Sequence, residues 1–261
     1  MTWRSLINAR GQVTGQRPCN LDKRESANLD KSWTRSQYAS SIERIYKRFH
    51  GRGIAGDERG LTVFLRADDP HTPHGLLNSC DVPRSIFWIT SVSNKGVRNA
   101  SPWSFSGAVA YKPPQVFFAV TGSRKDGRPK DTLQNVRDTG EFVVNFPTFE
   151  TREQMNITCE YVEPEVDEIE LAKLATVPST LVAPPGLECS PIRLECRLFE
   201  TVTLMGNENT LVIGEVLGYH FKDGILVGDE VDWLAYKPLA RLGRGNAYCV
   251  VNNALYMERP Q

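Results

Sequence analysis

Several signatures that would announce a chemistry are missing from these 261 residues. The six cysteines, at 19, 80, 159, 189, 196 and 249, never form C-x-x-C. A zinc site or a thioredoxin-like pair therefore has no support, and reduced, mostly buried thiols are expected. Only four histidines occur, and the two that are close, His71 and His74, sit in DPHTPH, where prolines exclude the helix that a helical metal pair uses. No metal site is expected. Neither a P-loop nor a Ser-His-Asp set can be assembled. No stretch approaches the roughly twenty apolar residues of a membrane span, and no h-region follows the first residues. Lys plus Arg and Asp plus Glu balance at 31 each, so no global charge points to nucleic acid or an anionic membrane.

The balance is uneven along the chain. Residues 1–60 hold twelve basic against six acidic residues, leaving nineteen against twenty-five for the remainder. The arm MTWRSLINARGQVTGQRPCNLDKRESANLDKSWTRSQ has few large apolar residues, too few to order it, which predicts a flexible or weakly helical extension. Its Arg and Ser content raises organellar targeting as an alternative to a soluble, cytoplasmic chain; Asp22, Glu25 and Asp30 weigh against a transit peptide. Length permits one large domain or two small ones. The division expected is a basic extension over 1–60 and one domain over 61–261.

Residues 51–56, GRGIAG, match G-x-G-x-x-G letter for letter. A dinucleotide turn needs a buried strand before the first glycine and a helix opening near the third. Upstream, Ile42, Ile45, Tyr46 and Phe49 recur at helical intervals among charges; downstream, only a short apolar run, 61–65, precedes charge and proline. The context fails the motif, and the segment reads as a linker.

From residue 84 strand signals alternate with turns. RSIFWITSVS, ASPWSFSGAVA and QVFFAVTG read as strands, with Asn94-Lys95-Gly96 as a hairpin turn and Lys112-Pro113-Pro114 as a break. KDTLQNVRDTG reads as a helix capped by Asp131 or Thr132 and stopped at Gly140, followed by the strand EFVVNF. A second helix starts in TREQMNITCEYV, where Thr151 and Gln154 have capping-box spacing. PEVDEIELAKLA holds a short acidic helix. IRLECRLFETVTLM and TLVIGEVLGYHF alternate apolar and polar residues around the turn GNEN, and Asp223-Gly224 turns again before ILVGDEVD. At least six strands, two or three short helices and no β-α-β rhythm predict a mainly β protein, an antiparallel barrel with helices at its ends.

One region is too polar for an apolar sheet: Thr90-Ser91, Asn99-Ala100-Ser101-Pro102-Trp103-Ser104-Phe105-Ser106, Ser123-Arg124-Lys125 and Lys130-Asp131-Thr132. Buried strands seldom carry so many hydroxyls without partners for them. The pieces suit flavin mononucleotide. Ser104, Phe105 and Ser106 offer flat apolar contact and donors to an isoalloxazine ring, while Arg124, Lys130, Thr132 and a helix N-terminus offer charge and amides to a phosphate. The residues by themselves leave a second reading open, in which the hydroxyls form cross-strand pairs and the basic residues a solvated loop.

The run VPRSIFWITSVSNKGVRNASPWSFSGAVAYKPPQVFFAV through KDTLQNVRDTGEFVVN resembles the flavin reductase-like family, an FMN-binding split barrel that includes flavin reductases and flavoredoxin. MNITCEYVEPEVDEIELAKL, NTLVIGEVLGYHF and ARLGRGNAY continue the likeness, over residues 62–250. The resemblance implies a split antiparallel barrel and a homodimer with one FMN, or FAD, per subunit. By position, Thr90 and Ser91 lie beside the flavin, Asn99, Ala100, Ser101, Trp103, Ser104, Phe105 and Ser106 line the ring and ribityl chain, and Arg124, Lys130, Asp131 and Thr132 hold the phosphate. No catalytic side chain is singled out, because the hydride chemistry belongs to the cofactor. NADH or NADPH is the implied donor, and a second flavin, a partner oxygenase or a small molecule the acceptor; the alternative is a non-catalytic, flavoredoxin-like electron carrier. The chain departs from the family's usual Pro-Arg-Pro, Ala-Pro-Tyr-Ser-Phe and Arg-Leu-Gly-Gly at Pro83-Arg84-Ser85, Ser101-Pro102-Trp103-Ser104-Phe105 and Arg241-Leu242-Gly243-Arg244. Trp103 narrows the expected flavin face, and Arg244 adds charge near it.

Deleting residues 1–56 is expected to leave flavin binding intact, measured by flavin titration of the truncated chain. A folded truncation that no longer binds would return the glycine motif to the site.

Overall fold

The computed structural model describes residues 64–73, 75–206 and 208–259. The basic arm and GRGIAG lie outside the described residues. The chain divides into units of 1–72 and 73–261, and the second holds the barrel.

Alternation builds the sheet. After a short helix, α1 (Leu76–Cys80), and a two-residue strand, β1 (Arg84–Ser85), the chain enters β2 (Phe87–Val92) and returns as β3 (Arg98–Trp103). The hairpin closes where Asn94-Lys95-Gly96 was expected to turn: Gly96 takes φ +84, and Ser93 N–H donates to Val97 O at 2.8 Å. Next come β4 (Ser106–Tyr111), β5 (Pro114–Thr121), helix α2 (Asp131–Thr139) and β6 (Glu141–Asn145). Helices α3 (Arg152–Ile157) and α4 (Glu168–Leu171), strands β7 (Thr176–Val177) and β8 (Gly186–Leu187), and the long pair β9 (Ile192–Thr203) and β10 (Asn209–Phe221) follow. Strands β11 (Leu226–Val227) and β12 (Glu230–Val231), helix α5 (Trp233–Tyr236), and strands β13 (Leu239–Leu242) and β14 (Ala247–Val250) complete the order.

Seven strands form an antiparallel sheet in the order β3-β2-β6-β9-β10-β5-β4. The edge strands β3 and β4 are consecutive in sequence, separated by Ser104 and Phe105 alone, so the sheet curls until its edges meet. Ala119 N–H donates to Phe105 O at 2.8 Å and fastens that corner to β5. This is a split β-barrel, as expected. ASPWSFSGAVA, read as one strand segment, is therefore two strands with the split of the barrel between them.

Every second residue points inward. Phe87 and Ile89 of β2, Val116, Phe118 and Val120 of β5, Phe142 and Val144 of β6, Ile192, Leu194 and Cys196 of β9, and Val212 and Val216 of β10 fill the barrel. Leu133 and Val136 of α2 close one end of it. The intervening residues of β2 and β3 build a second cluster outside the barrel, where Trp88 and Ala100 meet Met155, Ile169, Leu187 and Leu239. Trp88 is fully buried, and its indole N–H donates to Thr158 Oγ1 at 2.9 Å.

Helix α2 ends where expected, with Gly140 left-handed at φ +74. Its start differs: Lys130 occupies the N-cap. The two residues expected to cap are drawn elsewhere, Asp131 to Arg124 and the Thr132 hydroxyl to Asn99. In α3, Thr151 is the N-cap, but its hydroxyl bonds to Thr148 rather than to the helix, and the expected capping box does not form.

Gly214 of β10 faces the Phe142 ring so closely that an added Cβ would stand 2.3 Å from Cζ. Phe142 is fully buried and packs edge-on against Phe118 at 5.5 Å, so it has little room to yield. Gly214→Ala is expected to cost about 1–3 kcal/mol of stability, read from the chemical denaturation midpoint; an unchanged midpoint would show that the ring moves freely.

Candidate functional site

A cleft of about 230 Å³ opens where β3, the loop before α2 and the chain after α3 converge. Asn99, Ser101 and Trp103 line one side because alternation along β3 turns them toward the α2 end of the barrel. Arg124, Lys130, Asp131 and Thr132 form the floor, and Thr158 to Val162 with Glu168 form the opposite wall.

Seven of the thirteen residues expected at a cofactor thus meet in one cleft. The other six do not line it. Thr90 is fully buried, donating to Pro185 O at 2.6 Å and accepting from Asn145 Nδ2 at 3.2 Å. Ser91 is equally buried, donating to Asn99 Oδ1 at 3.2 Å and accepting from Asn135 Nδ2 at 3.1 Å. Ala100 belongs to the outer apolar cluster. Ser104, Phe105 and Ser106 form the corner between the barrel edges. There the Ser106 hydroxyl donates to Trp103 O at 3.0 Å, the Ser85 hydroxyl donates to Ser106 O at 2.6 Å, and Arg84 lies 5.5 Å from the centre of the Phe105 ring.

The basic residues divide by what they already hold. Arg124 is buried, paired with Asp131, donating to Val162 O at 2.9 Å and lying 3.5 Å from Glu163. Its charge is largely spent on tying the loop before α2 to the opposite wall. Lys130 is half-buried, with Nζ 5.3 Å from the centre of the Trp103 ring, and burial lowers its pKa. Among the described residues no carboxylate pairs with it. Lys130 is therefore the cation that the cleft leaves uncompensated.

The polar network behind this floor is built on Asn99. Its amide donates to Glu168 Oε1 at 2.8 Å, and its carbonyl oxygen accepts from Thr132 Oγ1 at 2.8 Å and from Ser91. Strands β2 and β3 and helices α2 and α4 are thereby joined through buried side chains. Among the described residues no side chain caps α2, so its opening amides are left to whatever enters beside Lys130 and Thr132.

Three buried donors lack partners among the described residues, Arg84 Nε, Trp103 Nε1 and Arg124 Nε, and the last two belong to residues that line the cleft. Native structures seldom leave such groups unmade. Lys130 and the open helix end fit a ligand rich in acceptor oxygens, with small polar residues for a flat group to lie against.

The far wall was not identified from sequence. Glu168 reads as a solvated helix acid in VDEIEL, yet it is buried and reaches Asn99 across 69 residues. Desolvation pushes its carboxyl up to about 7, Asp131 and Asp167 add to the rise, and its own backbone and Asn99 oppose it. Tyr161 reaches back to Ser123 O at 2.7 Å, and Thr158 holds Trp88. These are long-range pairings with no local pattern. Only the placement of the segment over β3 discloses them.

A family model, Flavin reductase like domain, matches residues 79–237. A protein of Halalkalibacterium halodurans is 35% identical over 189 residues, covering 71% of this chain and 90% of its own. Among solved structures, nitrilotriacetate monooxygenase component B from Bacillus cereus superposes with a TM-score of 0.69 at 29% identity, covering 75% of this chain and all of that one. The 2-nitrobenzoate 2-nitroreductase NbaA of Pseudomonas fluorescens reaches a TM-score of 0.64 at 26% identity, over 71% of this chain and 89% of that one. With a split-barrel fold, a family match over more than half of the sequence and a relative at this identity, the chain belongs to the flavin reductase like domain family.

Proposed function

We propose that the cleft binds FMN and that the chain is an FMN-dependent oxidoreductase, taking hydride from NADH or NADPH and passing electrons to a second flavin, a partner oxygenase or a small acceptor. The observation that carries this reading is the uncompensated Lys130 beside the uncapped start of α2. Membership of the family supports it, as does likeness to a monooxygenase component and to a nitroreductase.

In this reading the phosphate lies against the opening of α2. Lys130 supplies the charge and the α2 amides the hydrogen bonds, while Arg124 holds Asp131 and the far wall in place. Asn99 and Ser101 face the cofactor from β3, and the Trp103 edge excludes water from one side. Flavin, when bound, would supply the hydride and electron transfer, so the reading asks for no acid-base set from the protein. A homodimer is proposed with it: β4 is an edge strand with Val109 and Tyr111 exposed, the kind of edge that proteins cover.

The purified chain is expected to carry or take up FMN, and its flavin absorbance to bleach with NADH or NADPH under catalytic turnover of free flavin. Bleaching by a chemical reductant alone would identify an electron carrier instead. Lys130→Ala is expected to weaken FMN about tenfold while leaving riboflavin, which lacks the phosphate, unchanged; equal losses for both would move the phosphate away from Lys130. Sedimentation as a monomer would remove the dimer.

A further inference from the structure

Among the described residues two carboxylates are buried, Glu195 and Glu168. They are held in opposite ways. Glu195 accepts backbone N–H bonds from Thr180 at 2.7 Å and Leu181 at 2.5 Å and meets His220 Nε2, partners that favour its ionised form. Glu168 accepts one side-chain bond, from the neutral Asn99 amide, and among the described residues no Lys, Arg or His pairs with it. A carboxylate without a cation or amide cradle is costly to bury ionised. Glu168 nevertheless lines the cleft.

We propose that Glu168 couples phosphate binding in this cleft to proton uptake, the neutral carboxylic acid being the form that admits the phosphate. The proposal rests on the FMN reading above and names the residue that sets its pH dependence. With Glu168 ionised, the cleft confronts a phosphate with another negative charge on the wall opposite Lys130. Protonated, Glu168 adds no charge and becomes a hydrogen-bond donor as well as an acceptor. Binding then takes one proton from solvent to the carboxylate, and no other bond changes.

The surrounding charges do not relieve Glu168. On its own helix boundary, Asp167 is taken up by Arg98 of β3 at 2.6 Å, and Asp131 at the start of α2 is taken up by Arg124. Across the cleft stands Lys130, and on the same wall as Glu168 stand Cys159, Glu160 and Tyr161 from the segment after α3. Burial lowers the Lys130 pKa and raises that of Cys159, so the test must separate both groups from Glu168. The carboxyl itself is raised to about 7, so its ionisation falls where the cofactor phosphate is already a dianion.

The sign follows. A carboxyl whose proton is held more tightly in the complex than in the free protein makes affinity fall as pH rises above its free value. For wild type, the FMN dissociation constant is expected to rise about fiftyfold from pH 7 to pH 9. Titration calorimetry in two buffers of different ionisation heat should show fractional proton uptake at pH 8. Glu168→Gln retains the acceptor for Asn99; it should bind FMN with a nearly flat profile and no uptake, with circular dichroism confirming the fold. Riboflavin should show no slope in either protein. FMN binding with the same slope in Glu168→Gln would assign the coupling to Lys130 or Cys159 and overturn the proposal, as would a flat wild-type profile or an equal slope for riboflavin. Absence of FMN binding at every pH would overturn the FMN reading itself, and the coupling with it.

Discussion

The side-chain amide of Asn99 is the constraint on which the rest of the site depends. An amide offers an acceptor with two lone pairs and two donor hydrogens, and here both lone pairs and one donor are committed to Thr132, Ser91 and Glu168. These partners sit on α2, β2 and α4. One buried group therefore sets where α2 begins, how it lies on the sheet and where the acid of the far wall stands. A half-satisfied network at this depth would cost more than an apolar core, so all its members are held together or none are.

The ion pair of Arg124 and Asp131 complements this constraint from the other side. Burial raises the Asp131 pKa, Arg124 and Arg128 oppose the rise, and the pair lies in the floor of the cleft. With Arg124 also bonded to Val162 O, the loop before α2 and the segment after α3 become one rigid wall. This division of labour separates a structural arginine from the uncompensated Lys130, two residues that sequence presents as equivalent basic neighbours. It also explains why Asp131, a good capping residue by type, leaves the cap to a backbone position.

Much of the barrel was legible in the chain. The strand-forming residues of Phe87–Val92 and the period-two alternation in the β9–β10 pair suit a sheet, and the Gly96 turn and Gly140 stop follow from backbone sterics. The break at Ser104-Phe105 was not legible. Strand-forming residues run through it, and the turn arises from the sheet closing on itself rather than from a local preference. The excess of hydroxyls in β2 and β3 signalled buried polar partners, but not which ones. For Thr90 and Ser91 the partners are other parts of the protein; for Asn99, Ser101 and Thr132 they include an open cleft.

The sequence by itself determined the mainly β class, the strand pattern, the helix that stops at Gly140 and the basic stretch at 124–130. These are properties of neighbours along the chain, where sterics, periodicity and composition act over a few residues. Only the tertiary structure decided that Arg124 is spent on Asp131, that Trp103 points its ring into the barrel beside Lys130, and that Glu168 reaches Asn99 from 69 residues away. Those outcomes depend on burial and on charges brought together by folding. An ionisable group's free energy is governed by its surroundings in space, which adjacency in sequence does not encode.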